Sequence, residues 1–317
     1  MPGPNEGSKT VTPTGTLRAT VVVVGYNGET FLGPCLESLA QQDVAASEYE
    51  LLFIDNGSTD ASVAVVETFR DRFSHLRVVR NGRNLGFPAA VNEAAELANG
   101  PILVLLNQDA VVERTWLREL LAPFGGDGTV AAAGSRVVNG AGPDLYAAAL
   151  EILYGGICIV HEGNRRTDAV SGCAMAVRLD VFRRIGGFAG DLFMYGEDLD
   201  LGLRLNKAGY RLAYAGKAVA HHHAIRRSRA STRTYMFYAT RNRTLVCLRN
   251  YRWKRVYLIA DMFVLFPLTA TTELLRSQTK KKALGWLLEA RIDSLRVGLE
   301  LLRSSAITPS GRQPTPR

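Results

Sequence analysis

Residues 20–60 read TVVVVGYNGETFLGPCLESLAQQDVAASEYELLFIDNGSTD. Thr20–Gly25 is a β-branched run with no polar break after its first residue, the pattern of a strand buried on both faces. Phe31–Gln42 carries Leu32, Cys35, Leu36 and Leu39 at helical spacing. Leu51–Asp55 is a second apolar strand. The alternation continues outward from this stretch. Asp60–Phe73 reads as a helix, Leu76–Arg80 as a strand and Pro88–Ala98 as a helix that ends at Asn99-Gly100. Ile102–Asn107 is a fourth strand, Glu113–Phe124 a helix and Val130–Val138 a fifth strand. Strands of this kind between helices predict an α/β domain with a doubly wound, mostly parallel sheet. Ligands bind such sheets at the carboxyl ends of the strands. Three strands end in polar residues: Tyr26-Asn27, Asp55-Asn56-Gly57-Ser58 and Asn107-Gln108-Asp109. One such end is ordinary turn chemistry; three on one edge indicate a site.

The chain has 317 residues, 47% apolar and 21% charged, which suits a folded core and excludes a disordered or collagen-like chain. Residues 1–16 are rich in Pro, Gly, Thr and Ser and lack an apolar segment, so they read as a disordered leader and not as a secretory signal. The globular domain is expected over 17–250. A helical extension follows over 251–305, then a Pro-rich tail over 306–317. Val256–Leu268 is apolar but short, and is broken by Asp261 and Pro267, so it does not read as a membrane span. Lys280–Arg303 reads as a basic amphipathic helix. The net charge is +8, with no Asp or Glu from Leu201 to Ala260 and ten Arg or Lys between Arg226 and Arg255. That surface suits a phosphate, a nucleic acid or an anionic membrane. No aromatic platform or helix-turn-helix supports nucleic acid as a partner. Cys35, Cys158, Cys173 and Cys247 form no CxxC pair, and reduced thiols in a cytosolic protein are expected.

Three clusters could carry chemistry. Asn107-Gln108-Asp109 places a carboxylate at a strand end beside a second oxygen donor, as a hard divalent cation requires; the plainer reading is a turn. Tyr195-Gly196-Glu197-Asp198-Leu199-Asp200 gathers three acids at a helix start, where a general base could sit. The plainer reading is compensation of the helix dipole with an Asp200–Arg204 pair. His221-His222-His223 follows a strand-like segment, whose alternation points at most two of the three the same way. No dinucleotide-type G-x-G-x-x-G follows the first strand, and there is neither a P-loop lysine motif nor a G-x-S-x-G elbow.

The order of these segments resembles glycosyltransferase family 2. VVVVGYNGETFLGPCLESLAQQ, LLFIDNGSTDAS, NGRNLGFPAAVNEAAELANGPILVLLNQD, AVSGCAMAVRLDVFRRIGGF and FMYGEDLDLGLRLNKAGYRLAYAGKAVAHHH follow one another as in its rhamnosyltransferase-like branch, with YATRNRTL as the next helix. The resemblance covers about Thr20 to Tyr251. It implies the GT-A fold, with a nucleotide-binding half over about 17–110 and an acceptor half over about 111–250, and an inverting transfer of a sugar, with rhamnose the first choice, from a nucleotide-diphosphate sugar to a glycan or lipid-linked acceptor. Carried over, Tyr26, Asn27, Asp55, Asn56, Gly86 and Asn107 would line the nucleotide-sugar pocket. Asp109 and His222 would meet a divalent cation, Mg2+ or Mn2+. Asp198 would be the catalytic base, with Glu197 beside it. Asn107 stands where many relatives have Asp, which leaves Asp109 as the carboxylate of the metal motif. Gly216 stands where Pro is usual, which leaves the register of the three histidines open. The resemblance further implies a cytoplasmic protein, and the basic, apolar end of the chain suggests peripheral attachment to the inner face of the cell membrane or a homodimer. The rival reading is a non-catalytic module that binds nucleotide sugars or glycans.

Overall fold

The computed structural model describes residues 17–126, 128–140, 145–153, 157–163, 165–223, 232–253, 256–257, 260–276 and 280–307. The expected leader (1–16), Arg226, Arg227 and Arg229, and the chain after residue 307 lie outside the described residues.

The first half contributes β1 (Ala19–Gly25), β2 (Tyr49–Asp55), β3 (Leu76–Arg80) and β4 (Ile102–Asn107), interleaved with α1 (Glu29–Ala40), α2 (Ser62–Glu67) and α3 (Phe87–Leu97). β1 lies between β2 and β4 and runs parallel to both. Its period-two alternation feeds two cores. Val21 and Val23 pack with Leu32, Leu36 and Leu39 of α1. Val22 packs on the other face with Ala90, Val91 and Ala94 of α3. That double burial is why the run shows no polar alternation. The helix expected over 60–73 is shorter. It stops after Glu67, where the Thr68 hydroxyl bonds back to the Val65 carbonyl at 2.7 Å, and resumes as a 3-10 turn at Arg70–Arg72.

The second half contributes β5 (Ala110–Val112), α4 (Trp116–Leu121), β6 (Val130–Asn139), β7 (Leu145–Ala147), β8 (Ala149–Leu153), β9 (Ile157–His161), β10 (Ala169–Val170), β11 (Ala174–Arg178), α5 (Leu179–Arg184), α6 (Glu197–Lys207) and β12 (Arg211–His222). Here too a helix is shortened: α4 passes into a 3-10 turn at Ala122–Gly125, because Pro123 has no N–H to continue the ladder. The main sheet runs β3-β2-β1-β4-β11-β6-β12-β5, with β7 against β6; β10-β8-β9 forms a small separate sheet. It is parallel from β3 to β4, as expected, and mixed beyond. β6, the expected fifth strand, does not pair with β4, because β11 enters antiparallel between them. β12 then runs parallel to β6 and antiparallel to β5, which places its end beside the turn after β4.

The C-terminal part contains α7 (Arg233–Asn250), a π-helical turn at Asp261–Leu265, α8 (Phe266–Arg276) and α9 (Lys280–Ile307). α9 packs along α7, with ion pairs Arg233–Glu289 at 2.8 Å and Arg241–Asp293 at 2.5 Å. Asp261, which interrupts the apolar run, is fully buried. Its carboxylate takes Arg243 at 2.9 Å, the Thr244 hydroxyl at 3.0 Å, and Arg291. Among the described residues no helix is long and apolar enough to cross a membrane. Cys35, Cys158, Cys173 and Cys247 form no disulfide with one another.

Candidate active site

The carboxyl ends of β1, β2 and β4 lie side by side, Gly25 opposite Asp55 and Val24 opposite Asn107. Beyond them lies a cavity of about 360 Å³. Eight of the ten expected site residues line it: Tyr26, Asn56, Gly86, Asn107, Asp109, Glu197, Asp198 and His222. Asn27 and Asp55 do not. Asn27, at φ 46°, accepts the Thr59 N–H on its side-chain Oδ1 at 2.9 Å, tying the loop after β1 to the loop after β2. Asp55 is buried and accepts the Ser58 N–H at 3.1 Å. Both residues shape the rim from behind.

Asn56 is almost fully buried, and its amide is spent on one loop. Its Nδ2 donates to Asn84 Oδ1 at 3.0 Å, and its Oδ1 accepts the Leu85 N–H at 3.1 Å. Gly86 closes this loop at φ 84°, and a Cβ there would lie 2.5 Å from the Phe193 carbonyl oxygen, so only glycine fits. Gln108, in the middle of the N-x-D motif, bridges to Tyr26 in both directions, at 3.0 and 3.1 Å. The sequence reading assigned Gln108 no role; its place between two motif residues was the available signal.

The pairing of β12 with β5 sets His222 opposite Ala110. His222 is buried, and its Nε2 lies 3.1 Å from Asp109 Oδ1 and 3.4 Å from Asn107 Nδ2. His221 faces elsewhere, toward the Gly140 carbonyl at 3.0 Å and Glu113 at 3.5 Å, and His223 is exposed. Among the described residues no group of three or more acidic, histidine or cysteine side chains could hold a metal. A cation here would therefore take two protein ligands and the rest from a bound molecule, which is how Mg2+ is usually held. The donor set fits. Neighbouring ligands of an octahedral ion with bonds of about 2.1 Å lie about 3 Å apart, close to the Asp109–His222 separation.

Glu197 and Asp198 open α6. Asp198 accepts the Gly172 N–H at 3.0 Å and the Leu199 N–H at 2.9 Å. Glu197 is buried, and its Oε2 has no hydrogen-bond partner among the described residues. Burial, reinforced by the charge of Asp198, pushes the Glu197 carboxyl up to about 8. Burial raises Asp198 as well, against the two N–H bonds that favour its ionised form. The third acid is a structural group outside the cavity: Asp200 pairs with Arg204 at 2.8 Å, as its spacing suggested, and accepts Asn250 Nδ2 at 2.9 Å.

The turn leading into α6 reverses the backbone at Phe193 (φ 62°), Tyr195 (φ 67°) and Gly196 (φ 89°). Asn242, fully buried on α7, places its Nδ2 2.7–2.8 Å from the carbonyls of Leu192, Met194 and Tyr195. Asn242 lies in a segment whose role was not read from sequence. A mid-helix asparagine, a poor helix former, was the one hint of it. Chemically, the cavity joins a carboxylate–imidazole pair suited to a cation and a buried carboxyl pair suited to proton transfer.

The sequence model described as Glycosyl transferase family 2 matches residues 20–186. The N-acetylglucosaminyl-diphospho-decaprenol L-rhamnosyltransferase of Mycobacterium tuberculosis is 30% identical over 267 residues, covering 70% of this chain and 84% of that protein. Glycosyltransferase AglE of Haloferax volcanii is 26% identical over 217 residues, covering 65% of this chain and 66% of its own length. Of larger relatives the chain spans as little as 15%. Among solved structures, the mannosyltransferase PcManGT from Pyrobaculum calidifontis, in complex with GDP-Man and Mn2+, superposes with a TM-score of 0.56. It is 18% identical, with 93% of this chain and 81% of that one covered.

Proposed function

The chain belongs to glycosyl transferase family 2 and has the GT-A fold, and from that premise we propose that it moves a sugar from a nucleotide-diphosphate sugar to a hydroxyl of a glycan or lipid-linked acceptor, in one displacement with inversion. One observation carries this reading: the Asp109–His222 pair and the Glu197–Asp198 pair line the same cavity at the strand ends.

The nucleotide would sit against Tyr26, Asn56, Gly86 and Asn107, with Asn27 and Asp55 shaping the loops behind them. Asp109 and His222 would hold Mg2+ or Mn2+ at the diphosphate. When bound, that cation neutralises charge developing on the leaving group. Asp198, whose ionised form two N–H bonds favour, would take the proton of the acceptor hydroxyl as its oxygen attacks the anomeric carbon. The anomeric bond to the diphosphate breaks on the opposite face, so the configuration inverts. Burial and the charge of Asp198 raise the Glu197 carboxyl, so the pair would share a single negative charge near neutrality.

The relative from M. tuberculosis supports rhamnose as the sugar and a lipid-linked diphosphate as the acceptor. Exposed Phe263, Val264, Leu268 and Leu275, together with Leu284, Leu288 and Ile292 on α9, support peripheral attachment to the inner face of a cell membrane. A homodimer through the same face is the alternative occupant. The donor is found by a thermal-shift screen of UDP-, GDP- and dTDP-sugars, with and without Mg2+ or Mn2+. A nucleotide sugar that stabilises the protein more with cation than without supports the reading. No stabilisation by any of them contradicts it.

A further inference from the structure

We infer that Asn242 is a positioning residue, whose buried amide holds the turn 192–196 in the shape that presents Tyr195, Glu197 and Asp198 to the cavity. This rests on the transferase reading for its catalytic consequence.

The turn runs against backbone preference. Phe193 and Tyr195 occupy positive φ without being glycine, a state that persists only where the surroundings impose it. Its carbonyls are all accounted for. Those of Leu192, Met194 and Tyr195 meet Asn242 Nδ2, and that of Phe193 accepts the Phe87 N–H at 2.8 Å. The amide cannot be reversed without loss, because Arg241 donates to its Oδ1 at 2.8 Å. Arg241 in turn bonds Asp293 of α9 and the Asp191 carbonyl. Two aromatic contacts follow the same line: Tyr238 stacks on Phe193 with centroids 5.1 Å apart, and Tyr235 meets Tyr195 edge-on at 5.4 Å. The helix after the main sheet thus clamps the segment that carries the base. The ends of β1, β2 and β4 take no direct part in this clamp; of the donor pocket only the Gly86-Phe87 step rests on the turn, at Phe193. Loss of Asn242 should therefore slow the chemical step more than it weakens donor binding.

The test uses the full chain as wild type, Asn242→Asp, Asn242→Ala and a control, Leu248→Ala. Leu248 is a core residue of the same helix that packs with Cys247 and Tyr257 in a different cluster. Kinetics are measured with whichever UDP-, GDP- or dTDP-sugar the wild type turns over fastest, alongside melting curves and amide exchange across 192–198. Both Asn242 variants should lose on the order of tenfold or more in kcat, with a clearly smaller change in donor KM and faster exchange in the turn. Leu248→Ala should lower the melting temperature and keep kcat and the turn's exchange rates. The inference is overturned if the Asn242 variants keep kcat, if KM rises in step with the loss, or if Leu248→Ala behaves as they do. A wild type with no turnover would sink the transferase reading, and amide exchange alone then decides whether Asn242 holds the turn.

Discussion

His222 Nε2 lies 3.1 Å from Asp109 Oδ1, although the two residues stand 113 positions apart. β12 returns antiparallel to β5 to make that contact, so the sheet itself builds the pair. A nucleoside diphosphate should bind more tightly with Mn2+ or Mg2+ than without. Asp109→Ala should remove most of that gain while leaving cation-free binding near its original level. Calorimetry with the diphosphate of the selected donor checks this; a variant that keeps the full cation effect would remove Asp109 from the metal's ligands.

The buried Glu197 makes stability depend on pH. Its carboxyl titrates at about 8 in the folded protein against an ordinary 4.5. Below the lower value both states carry the proton, and no penalty exists. Between the two values only the folded state keeps it, so the unfolded state gains by ionising and stability falls as pH rises. Above the upper value the penalty is complete. Glu197→Gln removes this titration. The variant's melting temperature, relative to wild type, should therefore be higher near pH 9 than near pH 5. A difference that does not change with pH would show that Glu197 is not held protonated.

Asp261 joins the C-terminal helices to α7 through Arg243 and Arg291. Removing one partner of a buried ionic cluster leaves charge uncompensated, at a cost of roughly 3–5 kcal/mol. Asp261→Ala should lower stability by about that amount in urea unfolding. A loss below about 1 kcal/mol, the range of exposed pairs, would mean that the cluster is open to water.

The basic residues of the extension, beside its exposed apolar ones, predict salt-sensitive pelleting with anionic liposomes, since each basic residue near such a surface is worth about 1 kcal/mol. Removing residues 256–317 should abolish pelleting. Full-length protein that stays in the supernatant at low salt, and sediments as a dimer, would assign the face to a second copy.

The strands of the first half were legible because β1, β2 and β4 are buried on both faces and so appear as unbroken apolar runs. The place of β11 was not. Its short AMAVR segment pairs with β4 and β6 only because the chain detours through the small sheet, and no local pattern encodes that order. The acids of the site were visible as motifs, yet Asp200 differs from Asp198 only in facing Arg204 and Asn250, which is a matter of fold. Which histidine meets Asp109 depended on strand register. Asn242 gave no more than the hint of a mid-helix asparagine, because the carbonyls it holds lie 47 to 50 residues earlier in the chain. Asn27 and Asp55 matched the pattern but hold loops outside the cavity lining.

Transfer with inversion at the Glu197–Asp198 edge of the cavity is tested most directly by the turnover of the selected nucleotide sugar by wild type and Asp198→Asn. With Mn2+ and a hydroxyl acceptor, the wild type should release nucleoside diphosphate and give a product whose anomeric configuration, read by NMR, is opposite to the donor's. Asp198→Asn should bind the donor equally well and turn over at least about a hundredfold more slowly. Donor binding without release by the wild type would make the protein a binding module. A variant retaining more than about a tenth of the rate, or a product of retained configuration, would contradict the mechanism.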